Sequence, residues 1–254
     1  MRSATALLVL LLAVIAPWPA VAQSDPPAVN DAQAWLLLLG LFPVGEQWTI
    51  QAEVQPRWND DLTDLDQVIV RGSVGRHFGR RVTVWGGYAY IPRWSDDSRF
   101  DEQRAWQQLN VAWAPISRWS SSIRVRAEQR FLDEWGDSSH RLRGMGRVVR
   151  PLGASPWSLA LWDEYFVNLD DTPGGPAQGF DQNRLFATLL RKLSADVTLE
   201  AGYAWQVQPS TASRGVRHGH TLFAWFTYAR HRDRAPSQGL PEGVPPGDGR
   251  PRHR

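Results

Sequence analysis

Residues 47–57 read Gln-Trp-Thr-Ile-Gln-Ala-Glu-Val-Gln-Pro-Arg, with polar and apolar side chains exchanging places at every step. A period of two puts alternate residues on opposite faces of a β-strand. One face here carries Gln, Thr, Glu and Arg, the other Trp, Ile, Ala, Val and Pro. The same alternation recurs up to Tyr228, in segments bounded by Gly, Pro, Asp and Asn. It predicts strands at 46–58, 66–78, 81–91, 101–114, 119–133, 139–150, 156–168, 179–193, 195–207 and 216–229. Most are ten residues or longer, which is long for a soluble sheet and suits a tilted membrane strand of ~9–11 residues. The expected fold is all-β: an antiparallel up-and-down transmembrane β-barrel of 10–12 strands with a polar, Arg/Glu-lined interior, occupying 46–229.

The connections alternate in length. Short ones are expected at 79–80, 115–118, 151–155 and 194, and longer ones at 59–65, 92–100, 134–137, 169–178 and 208–215. Outer-membrane barrels have short periplasmic turns and longer outward loops. Ten strands would return both ends of the barrel to one side, and that count is preferred. The apolar run at 33–41 is expected to be a partial strand within an N-terminal segment, 23–45, leaving eleven or twelve strands open.

Both ends of the chain read differently from its middle. Met1-Arg2, the apolar run 4–16 and Ala20-Val21-Ala22 form a secretory signal peptide, 1–22, with cleavage expected before Gln23. No later stretch approaches ~20 unbroken apolar residues, which excludes a helical membrane protein. The tail, 230–254, is rich in Pro, Gly and charge and is expected to be disordered. There is no cysteine, so no disulfide frame, thiolate site or lipid-attachment Cys exists. A net charge of +2 gives no case for nucleic acid as a partner.

Alternation alone does not separate a membrane barrel from a soluble lipocalin-like one, but aromatic placement does. Trp48, Trp113, Trp119 and Trp157 lie near the short-turn ends of their strands, with Phe226 and Tyr228 ending the last one. Near the opposite ends the same face carries Trp58, Tyr88, Tyr90, Phe131, Tyr165 and Trp205. Two aromatic belts separated by Val, Leu, Ile and Ala match the girdles of a membrane barrel. The other face holds Glu53, Arg57, Arg71, Glu102, Arg104, Arg124, Arg126, Glu128, Arg130, Arg141, Arg143, Arg147, Glu164, Arg184 and Glu200. Arg and Glu on adjacent strands can neutralise one another in ladders that fill a narrow lumen. The surplus of arginine also suits attraction of an anion.

Several short stretches occur in order: Glu53-Val-Gln-Pro-Arg57, Arg124-Val-Arg-Ala-Glu-Gln-Arg130, Arg141-Leu-Arg143, Glu164-Tyr-Phe-Val-Asn168 and Phe180-Asp-Gln-Asn-Arg184. Together they resemble the bacterial family catalogued as domain of unknown function 2490, over about 35–228. The resemblance implies an outer-membrane barrel in a Gram-negative envelope. It implies no activity and supplies no catalytic residues.

Sites of chemistry are sparse. A nucleophilic site needs a hydroxyl within reach of an oriented His. The nearest candidates are Ser138-Ser139-His140 and His218-Gly-His220-Thr221, the two His of the latter sharing the apolar parity. Glu53, Glu102, Glu128 and Glu164 sit among arginines that suit ion pairing better than acid catalysis. Asp60, Asp61, Asp64, Asp66, Asp96, Asp97, Asp170 and Asp171 lie in or beside loops, where Asp is a default turn former, although such clusters also suit Ca²⁺. No catalytic residue, metal or cofactor is therefore assigned. The expected partners are membrane lipids, lipopolysaccharide and the outer-membrane assembly machinery, with the small-molecule ligand unidentified. The leading expectation is a barrel that is structural or handles an anionic small molecule or lipid. A lipid- or lipopolysaccharide-modifying enzyme, a narrow anion-preferring channel and a secreted soluble barrel are the alternatives.

Overall fold

The alternating stretches become eleven β-strands in the computed structural model, which describes residues 29–95, 98–132, 137–209 and 215–230. The first half of the chain forms β1 (Val29–Val44), β2 (Trp48–Asn59), β3 (Asp64–Phe78), β4 (Val82–Ser95), β5 (Ser98–Ala112) and β6 (Ser120–Leu132). The second half forms β7 (Ser139–Pro151), β8 (Trp157–Asn168), β9 (Gly179–Lys192), β10 (Val197–Pro209) and β11 (Val216–Ala229). The expected signal peptide, 1–22, and the tail from 231 lie outside the described residues, as do Asp96 and Asp97.

Each strand pairs antiparallel with its chain neighbours, and the ring is closed. The closing seam differs: β1 runs parallel to β11, in register from Val29↔Arg217 to Leu41↔Ala229. The odd count requires this, because an up-and-down ring of odd strand number must close on two strands that point the same way. The preferred count of ten, with both ends on one side, is thus corrected to eleven. Val29 lies at one mouth and Ala229 at the other.

The added strand is the segment expected to be partial, so the barrel begins at Val29 rather than at 46. Its period is hidden because both faces are apolar at that depth. Leu37, Leu39 and Leu41 are buried inside, while Leu38 and Phe42 are exposed outside. The expected long connection at 92–100 is also corrected. There β4 and β5 continue as a hairpin, pairing Arg93↔Phe100 and Trp94↔Arg99. The difference in length between the two sets of connections therefore rests on 169–178, with ten residues, because 113–119 at the opposite mouth has seven, against six in 133–138 and in 210–215. At the opposite mouth Gly45, Gly79 and Gly153 take positive φ of 57°, 66° and 62°, which tight turns require and other residues resist.

The two walls differ in kind. All fifteen Arg and Glu positions of the expected ladder point inward, and most are buried. Eleven of the twelve expected belt aromatics point outward, among exposed Leu38, Ile50, Val54, Val70, Val74, Leu109, Val125, Leu161, Leu185, Leu189 and Leu222. The twelfth, Trp58, follows a register shift after Arg57 and lines the cavity at the mouth. The inside is itself divided along the barrel axis. Toward the short-turn mouth, Leu37, Leu39 and Leu41 of β1 pack with Trp85 and Trp106, and Trp225 lies against them. Above and beside this, Trp35, Met145, Trp162, Phe186, Ala204 and Phe223 form a second cluster, with the Trp162 and Phe186 rings stacked at 3.6 Å. Large rings need room, which inward-facing glycines supply. A Cβ at Gly75 would come within 2.6 Å of the Trp85 ring, and one at Gly87 would collide with Trp106. Part of the lower lumen is therefore filled with apolar side chains, an element absent from the expected polar interior, beside polar groups such as His77 and the Arg147–Glu200 pair.

Candidate functional site

Above the apolar plug the lumen opens into a cavity of about 390 Å³ at the mouth that carries the longer connections. Nine arginines line it, at 57, 71, 93, 104, 130, 141, 143, 184 and 217, against two carboxylates, Asp66 and Asp181. Each strand delivers these groups by the same device: a period of two brings alternate side chains inward near its loop end.

Behind the lining, three buried glutamates hold most of the arginines. Glu128 accepts from Arg141 Nη2 at 2.6 Å and from Arg143 Nη1 at 2.7 Å, with Arg104 and Arg126 at 3.6 and 3.8 Å. Glu102 accepts from Arg104 Nη2 at 2.6 Å and Arg130 Nε at 2.8 Å, and Arg93 approaches to 3.5 Å. Glu164 takes Nη2 of both Arg124 and Arg143 at 2.5 Å. On the remaining walls Arg71 pairs with Glu53 at 3.0 Å and Arg217 with Asp31 at 2.7 Å. A buried carboxylate surrounded by several guanidiniums offsets its own desolvation only through such charge-assisted bonds.

Two lining arginines are held differently. Arg57 donates Nη2 to Gln55 at 2.8 Å, and Arg184 donates Nε to Gln206 at 2.7 Å. Both guanidiniums lie over the indole of Trp35, at 4.2 and 4.9 Å from its centroid, and Arg184 also lies 4.8 Å from the Phe166 ring. Neither has a carboxylate within 4.0 Å among the described residues.

The connection 169–178 reaches over this mouth, contributing Gly174, Gly175 and Pro176 to the cavity lining. It is pinned at both ends. Asn168 Nδ2 donates to the Ala177 carbonyl at 3.2 Å, and Gln178 N–H donates to Asp171 at 2.8 Å. His140 N–H donates to Asp170 Oδ1 at 3.0 Å, and the His140 ring meets Oδ2 at 2.5 Å. Some burial raises the Asp170 carboxyl, but these bonds from His140 outweigh it and hold the group below its ordinary range.

The candidate nucleophilic groups do not assemble. His218 and His220 point outward: His218 stacks on Trp205, and His220 bonds the Tyr203 hydroxyl at 2.6 Å and Asn30 at 3.2 Å. Thr221 points inward and donates to Gln33. The Ser138 hydroxyl bonds Asp137, not His140. Among the described residues no group of three or more His, Asp or Glu is placed to hold a metal ion.

Sequence reading missed the cavity-lining Arg93 and Arg217 and every interior aromatic. Their parity carried the signal. Trp106 shares the phase of Glu102 and Arg104, Phe166 that of Glu164, and Phe186 that of Arg184.

The chain matches the family described as Protein of unknown function (DUF2490) over residues 32–217. It is also 35% identical to an uncharacterised protein of Methylorubrum extorquens over 218 residues, covering 84% of this chain and 94% of that one. The chain belongs to this family.

Proposed function

We propose that this member of the family is an outer-membrane β-barrel, exported through a cleaved segment at 1–22, whose lumen is a closed-ended chamber for an anionic small molecule or lipid headgroup. The observation that carries the binding role is the lining of the cavity: nine arginines, seven of them ion-paired and two, Arg57 and Arg184, with no carboxylate within 4.0 Å among the described residues. Such a wall sets a positive potential in a confined space, and confinement by low-dielectric walls strengthens it.

The membrane setting is supported by the inversion of the two walls. Charged side chains are buried inside, whereas large apolar and aromatic ones are exposed outside around the whole ring. A monomer in water rarely exposes so much contiguous apolar surface, whereas lipid would cover it. Of the alternatives, the pore is disfavoured by the plug, because Trp85, Trp106 and the β1 leucines fill the path toward the short-turn mouth. An ion would have to displace them.

Calorimetric titration of the folded barrel in a neutral detergent tests the binding role. Multiply charged anions should bind with an affinity that falls with salt, and organic cations should not bind. Absence of any anion binding at low salt would remove the chamber from the reading and leave a structural barrel.

A further inference from the structure

Seven of the nine cavity arginines are each within ion-pair distance of a carboxylate. Arg57 and Arg184 are the exceptions among the described residues. They come from strands on different sides of the seam, yet both stack on Trp35. Two guanidiniums gathered on one ring repel each other, and ring contacts only partly offset the loss of water. The bonds they do make, to Gln55 and Gln206, are to neutral amides. Arg57 Nε, like Nε of Arg71, Arg124 and Arg217, is buried with no hydrogen-bond partner among the described residues. Buried donors in native proteins are almost always satisfied, so this arrangement lacks a charged acceptor.

We propose that Arg57 and Arg184 hold the phosphate of a phosphomonoester, with the Trp35 ring as the surface against which both guanidiniums are set. This assignment rests on the anion-chamber reading above. A phosphomonoester carries close to two negative charges at neutral pH and three strong acceptor oxygens, which matches two uncompensated cations whose forks bind oxygens in pairs. The cavity, about 390 Å³, falls in the range of pockets that hold organic ligands. Trp58, Ile69 and Phe166 supply apolar lining for the body of the ester. The phosphate can belong to a soluble ester or to a lipid headgroup.

The test uses the full mature chain, folded in neutral detergent and verified by heat-modifiable gel mobility. Phenyl phosphate, inorganic phosphate and succinate are titrated calorimetrically against the wild type and against Arg57→Gln, Arg184→Gln, the double variant and Arg150→Gln. Phenyl phosphate should bind more tightly than inorganic phosphate. Each single variant at 57 or 184 should weaken it roughly tenfold or more, as expected for loss of a hydrogen bond to a charged group, and the double variant should abolish it. Arg150→Gln, exposed on the outward face at the opposite mouth and outside the cavity lining, should change it by about twofold or less. Adding phosphatidate to the micelles distinguishes the sources: competition with phenyl phosphate assigns a lipid headgroup, and no competition assigns a soluble ester. Phenyl phosphate binding that survives in the double variant, or succinate binding without any phosphomonoester binding, would overturn this assignment and leave the anion chamber standing. Failure of all three anions would remove both.

Discussion

Arg147 on β7 and Glu200 on β10 meet inside the barrel through two parallel bonds, Nη1 to Oε1 and Nη2 to Oε2, each 3.0 Å long. Two strands, β8 and β9, separate them in the sheet, so the pair spans the lumen wall rather than joining neighbours. Thr188 of β9 adds a bond of 2.7 Å to the same carboxylate. Removing one member breaks both charge-assisted bonds of a buried pair, which costs about 3–5 kcal/mol. Glu200→Gln should therefore lower the midpoint of heat-modifiability or urea unfolding markedly. Replacing both members with apolar residues of similar volume should cost less than Glu200→Gln alone, since the desolvation cost of both buried charges then disappears.

Inward glycines should resist an added methyl group that outward ones tolerate. Gly75→Ala presses on the Trp85 ring and Gly87→Ala on Trp106, in a region where overpacking costs about 1–3 kcal/mol. Gly144 and Gly146 face outward with nothing within 4 Å of an added Cβ. Alanine there should leave the unfolding midpoint within experimental scatter. Equal effects at all four positions would contradict the packed plug.

Arg184 should limit stability while it serves binding. It is a buried cation held by one amide bond and two rings. Arg184→Met should raise unfolding stability of the ligand-free barrel by on the order of 1 kcal/mol, because the cost of burying an unpaired charge disappears. The same variant should bind phenyl phosphate less tightly. A loss of stability in parallel with binding would point to a structural role alone.

The anchor of 169–178 should be sensitive to acid. The bonds from His140 hold the Asp170 carboxyl below its ordinary range, so their contribution is complete above the unfolded value, about 3.9, and is lost as pH falls through the lower folded value. Hydrogen exchange at the His140 amide should be protected at pH 5–7 and lose protection as pH drops toward 3. Asp170→Asn should abolish most of that pH dependence. Unchanged protection across the range would show that the tether does not depend on the carboxylate.

How much of this was legible depended on whether the two sides of a strand differ. Residues 47–57 show their period in plain view because Glu53 and Arg57 face a charged chamber while Ile50 and Val54 face outward. The β1 leucines hid theirs, since those that face inward pack on Trp85 and Trp106 and leave this strand apolar on both faces, and with β1 went the strand count and the parallel seam. The ladder glutamates and arginines were readable from parity alone. Their sorting into ion-paired and unpaired groups was not, because it depends on strand register and on contacts such as Arg57 on Trp35, which join residues far apart in the chain. The plug was obscured by the same assumption that one face must be wholly polar.

The surroundings of the outer wall decide the account most directly, and the absence of cysteine permits a clean measurement. Spin labels placed singly at Val74, Leu185 and Leu222, all exposed on the outward face, should show high accessibility to molecular oxygen and low accessibility to a water-soluble nickel complex when the barrel is reconstituted in vesicles. The reverse, with the nickel complex reaching all three positions freely, would contradict a lipid-embedded barrel.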